Sequence, residues 1–157
     1  MDADAYLQEI LRSITGEDVQ DTAYGLDSIY RHPTGNKQVI EHLETMLNDR
    51  RICGIGAPRY YMEIRRLAAY ALNAEREKCG ITTPICFQAM SPLSGSKVWR
   101  LAIETGVVRT EKGNNRTILE ILEELIQKDL VPVIDRTLTP ELKNDDDQDN
   151  QEVNNKE

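Results

Sequence analysis

Residues 50–79 read RRICGIGAPRYYMEIRRLAAYALNAEREKC, and the way this stretch is divided decides the fold. Gly54, Gly56 and Pro58 break any regular element in its first third. The remaining two thirds are helix-prone, with Pro58 near a first turn, where a missing N–H costs least, and Gly80 as a stop. The spacing predicts a helix from about Arg59 to Cys79, entered through an irregular arginine-rich loop.

Upstream, Asn36 is a good N-cap for a helix whose Val39, Ile40, Leu43, Met46 and Leu47 form one apolar stripe. Before it, Asp18 or a neighbour starts a helix carrying Val19, Ala23, Leu26, Ile29 and Tyr30, stopped by Pro33-Thr34-Gly35. The chain opens with Tyr6, Leu7, Ile10, Leu11 and Ile14 at a three-to-four spacing, ending near Gly16. Downstream, Ile81 to Leu93 is either a buried extended segment or a short helix. Ser96 to Thr105 reads as a helix with Val98, Trp99, Ala102 and Ile103 facing the core, Trp99 being its large apolar anchor. Val107 to Asn115 has the composition of a strand entering a turn, or of a long loop. Thr117 with Glu120 is a capping-box signature for an apolar helix from Ile118 to Ile126, and Val131 to Ile134 closes the body in extended form.

The helices around residues 38–74 resemble one HEAT-like repeat. Leu43, Leu47 and Asp49 match its first helix, and Ile64-Arg65, Leu67-Ala68-Ala69 and Ala71-Leu72 its second, although Arg50 to Met62 is longer than the family's tight turn. The resemblance implies that Asp49 and Arg65 steady the connection, that Ala68 and Ala71 sit at a close helix crossing, and that the chain is a binding scaffold. The expectation is a mainly α fold: a single-domain helical bundle or HEAT-like helical hairpins, with five to six helices and at most a short β hairpin or extended segment. Residues 1–140 would form the domain and 141–157 a disordered acidic tail, too poor in apolar residues to offset the entropy of ordering.

Charge is sorted along the chain. Residues 1–49 carry 3 basic and 10 acidic groups, residues 50–116 carry 12 and 5, and residues 117–157 carry 4 and 12. Net acidity argues against general nucleic-acid binding, which needs a basic face to neutralise phosphates. No apolar run approaches the roughly 20 residues that span a bilayer, and no basic start precedes one, so a soluble cytoplasmic protein is expected. Cys53, Cys79 and Cys86 lack metal-ligand spacing, and only His32 and His42 could assist, so no metal or cofactor is expected.

The basic centre is where function would be encoded. Arg50, Arg51, Gly54, Gly56 and Arg59 occupy the irregular loop; Tyr60, Tyr61 and Arg66 come next on the predicted helix, and Arg and Tyr are enriched at interface hot spots. The leading reading is a non-enzymatic module that recognises a protein partner through Arg50 to Tyr70. The alternative is an anionic ligand held by free N–H groups at a helix N-terminus over Gly54 to Arg59. The opposing structural reading pairs these arginines with Glu41, Glu44, Glu63 and the acidic helices. No catalytic set is evident; Cys53 with His42 as its base is the nearest approach, against an inert buried thiol.

Overall fold

The structure is a computed structural model and describes residues 2–112 and 115–140. Its elements in chain order are α1 (Ala3–Thr15), α2 (Val19–Arg31), α3 (Lys37–Thr45), a 3-10 turn (Met46–Asn48), β1 (Ile52–Ile55), β2 (Tyr60–Glu63), α4 (Ile64–Lys78), β3 (Ile85–Met90), β4 (Leu93–Ser94), α5 (Gly95–Glu104), α6 (Ile118–Gln127) and β5 (Val133–Leu138). The caps lie where the sequence places them. Asp18 accepts from the N–H groups of Gln20 and Asp21, Asn36 from Val39, and Thr117 and Glu120 form a reciprocal capping box. Each satisfies N–H groups that a helix start leaves without partners.

The mainly α expectation is wrong. Among the described residues, six helices are joined by five strands in two antiparallel sheets, ordered β1-β2-β4 and β3-β5. The error lies in the deciding stretch. Ile52 to Ile55 and Tyr60 to Glu63 are rich in β-branched and aromatic residues, which pack well on a pleated surface. They pair from Ile52 opposite Glu63 to Ile55 opposite Tyr60, leaving Gly56 to Arg59 as the hairpin tip. Gly56 takes φ +94° there, and the Ala57–Pro58 bond is cis. The predicted helix therefore starts at Ile64 rather than Arg59, and a β-hairpin separates α3 from α4, so they form no tight helical hairpin.

Strand alternation gives this hairpin its place in the fold. Cys53, Ile55 and Met62 join a core with α1 to α4 and β3, whose fully buried members include Leu26, Leu43, Ile64 and Leu72. Ile52 and Tyr61 point the other way, into a second cluster of Val98, Ala102, Ile121, Leu122 and Leu125 from α5 and α6. The small sheet is thus a partition with an apolar core on each face. Its outer strand β1 is covered by Gln20 of α2, whose side-chain amide donates to the Gly54 carbonyl and faces the Gly54 N–H; otherwise the edge would expose unpaired backbone groups.

Two further expectations are corrected, and two open alternatives are decided. Ile103 is 42% exposed, so it does not face the core, while Trp99 is half-buried against the second cluster rather than enclosed. Ile81 to Leu93 is resolved as extended, with β3 paired to β5 from Ile85 opposite Leu138 to Met90 opposite Val133. Val107 to Thr110 forms no strand. The predicted tail, 141–157, lies outside the described residues.

Candidate functional site

The residues expected to form one site are split by the hairpin. On a strand, alternate side chains point to opposite faces. Tyr60 and Met62 therefore share the face of the first core, and Tyr61 and Glu63 the face of the second. Arg59, in the tip, lies back across Gly54: a Cβ placed on Gly54 would stand 2.7 Å from Arg59 Cδ.

Most of the arginine charge is spent internally. Glu63 is fully buried; its carboxylate takes the Nε–H groups of Arg50 and Arg65 and the backbone N–H of Met90 at 2.8 Å. Buried charge is tolerated where partners of this kind surround it. Arg51 grips Asp49, with Nη2 2.8 Å from Oδ2, and Arg76 reaches Glu44 at 3.6 Å. Burial pushes the Asp49 carboxyl up, but the hydrogen bonds and charge of Arg51 outweigh it, and the net direction is down. Among the described residues, Arg59 and Arg66 make no ion pair.

The Gly54 to Arg59 turn is not a helix N-terminus. At the true start of α4, the Ile64 N–H donates to the Arg51 carbonyl and the Arg65 N–H to the Asp49 carbonyl, each at 2.8 Å. Two of the first donors of α4 are thus taken by the preceding chain, and none of its free N–H groups lies at the Gly54 to Arg59 turn, where the anion reading placed them. Those bonds also tie Asp49 and Arg65 into the connection ahead of α4, and Ala68 and Ala71 are fully buried. Cys53 does not meet His42. Its thiol is buried near the Met62 carbonyl and pushed up to about 12, chiefly by burial, whereas His42 Nε2 lies 3.1 Å from the Ile14 carbonyl.

One expected residue does open onto a concavity. A groove of about 270 Å³ lies between α2 and α4, with Leu26, Met62 and Leu67 as its apolar floor and Pro92 at one side. Tyr30 and Tyr70 form an aromatic wall, their rings edge to face with centroids 6.2 Å apart, and Phe87 buttresses Tyr70 at 6.0 Å. The Arg66 guanidinium sits 5.0 Å from the Tyr70 ring centroid. Its Nη1 is buried and has no hydrogen-bond partner among the described residues; an unsatisfied buried donor costs about 1–3 kcal/mol. Tyr60 lies along the same strand face as Met62 and is 44% exposed. Tyr30, expected in the apolar stripe of α2, is 53% exposed; its position at the C-terminal end of that stripe is the signal the sequence offers.

Among the described residues, no group of three His, Cys, Asp or Glu side chains could hold a metal ion, and no helix is long and apolar enough to cross a membrane. Comparison with protein-family models, curated proteins and solved structures finds no match, so no relative adds support to the helical-repeat resemblance.

Proposed function

We propose that the chain is a non-enzymatic cytoplasmic binding module that recognises a protein partner through the groove between α2 and α4 and the adjoining Tyr60 face of β2. The observation that carries this reading is Arg66, a guanidinium with no ion pair among the described residues, stacked on Tyr70 in a mostly apolar, aromatic-walled concavity whose other charged residue, Asp27, is paired with Arg31. Tyr and Arg dominate binding energy at protein interfaces, because each offers a large rigid surface with a polar end. Tyr30 and Tyr60 are exposed at the groove and beside it, where a partner would cover them. The contact expected across Arg50 to Tyr70 is thereby narrowed to Tyr60, Arg66 and Tyr70, joined by Tyr30.

Photo-crosslinking in the producing cells tests this. A benzophenone side chain at position 30 or 60 should capture the same protein. One at position 24, exposed between α1 and α2, should not. Capture that is equal from position 24, or absent from both 30 and 60, overturns the docking reading.

A further inference from the structure

Resting on that docking reading, we infer that the groove takes a short peptide segment of the partner in which an aromatic side chain stands beside a carboxylate. Three observations specify this chemistry. The first is size. At about 270 Å³, the groove has room for one large side chain.

The second is the wall. Tyr30 and Tyr70 already meet edge to face, 75° between planes, and Phe87 continues the pattern at 74°. A further aromatic ring entering over Leu26, Met62 and Leu67 would add an edge-to-face neighbour and bury its apolar area on an apolar floor. The third is charge. Two charged residues line the groove, Asp27 and Arg66. Arg31 holds the Asp27 carboxylate at 3.0 Å within α2, whereas among the described residues Arg66 has no such partner and its Nη1 no acceptor. A planar guanidinium matches a carboxylate in geometry as well as sign. Stacked on Tyr70, it is held in place before any ligand arrives.

Random linear peptides displayed against the immobilised full chain test the inference. Enriched sequences should pair Phe, Tyr or Trp with a nearby Asp or Glu. In fluorescence-anisotropy titrations, replacing that acid by its amide should weaken binding by about tenfold or more, as loss of a charge-assisted bond implies. The same peptide change should matter little against the Arg66→Gln chain, whose folding is checked by its melting curve. The peptide-side substitution uses the native chain and stays decisive even if that variant does not fold. An empty selection, enriched peptides without the aromatic-acid pair, or binding indifferent to the amide replacement overturns the inference. Crosslinking from positions 30 and 60 does not depend on peptide charge. Its success beside such a result would remove the carboxylate chemistry and leave the docking surface standing; its failure would remove both.

Discussion

The two faces of the β1–β2 hairpin use similar residues to opposite ends. On the face toward α5 and α6, charge is closed on itself: Glu63 is buried between Arg50, Arg65 and the Met90 N–H, and Arg59 folds back over Gly54. On the face toward α2 and α4, Met62 floors an open groove, and the neighbouring Arg66 has an aromatic ring beneath it and no anion among the described residues. The difference teaches that a count of arginines measures neither a basic surface nor a binding site. What matters is which guanidiniums the fold has already matched.

The comparison breaks first at Glu63. Glu63→Ala would leave two arginines and a buried N–H without their acceptor, and it should destabilise the chain by about 3–5 kcal/mol in urea unfolding. A loss below about 1 kcal/mol, the scale of an exposed pair, would mean that the closed face is not held together by this carboxylate.

Thiol labelling probes the hidden part of the open face. Cys53 is buried under the groove side of the hairpin, where burial pushes its thiol up to about 12, whereas Cys79 and Cys86 are exposed. Because the thiolate is the reactive form, burial suppresses reaction at Cys53 both by blocking access and by disfavouring that form. Iodoacetamide at about pH 8, near an ordinary thiol's pKa, should therefore modify Cys79 and Cys86 in the native chain and all three cysteines only after denaturation. Mass spectrometry of the native chain with Cys53 modified would show that this core opens.

The hairpin tip gives the finest contrast. Gly56→Ala forces a side chain into φ +94° and toward the Pro58 carbonyl at 3.1 Å, so it should cost about 1–2 kcal/mol. Gly54→Ala meets only the flexible stem of exposed Arg59, and its cost should stay within about 1 kcal/mol. Equal melting temperatures for the two variants would contradict the tip geometry.

Much of the helical framework was legible because it is local. Asp18, Asn36 and Thr117 cap groups two or three residues away, and the stripes of α1, α3 and α6 arise from a 3.6-residue period. The strands were not legible in the same way. Tyr60 to Glu63 is four residues long and runs without a break into the apolar pattern of α4, so periodicity alone extends the helix over it. β3 and β5 find each other across the length of α5 and α6, a separation no local signal reports. Of the candidate site, Arg66 and Tyr60 could be singled out by residue type. Their association with Tyr30, and their separation from Arg50, Arg51 and Tyr61, could not.

By itself, then, the sequence determined where the side-chain-capped helices α2, α3 and α6 begin, which stripes are apolar, and that cationic residues gather between residues 50 and 116. Tertiary structure alone decided which of those cations remain unmatched. Capping is settled among near neighbours in the chain, while the matching of Glu63 to Arg50, Arg65 and Met90 depends on strands brought together from a distance, with alternation assigning each side chain to a closed face or an open one.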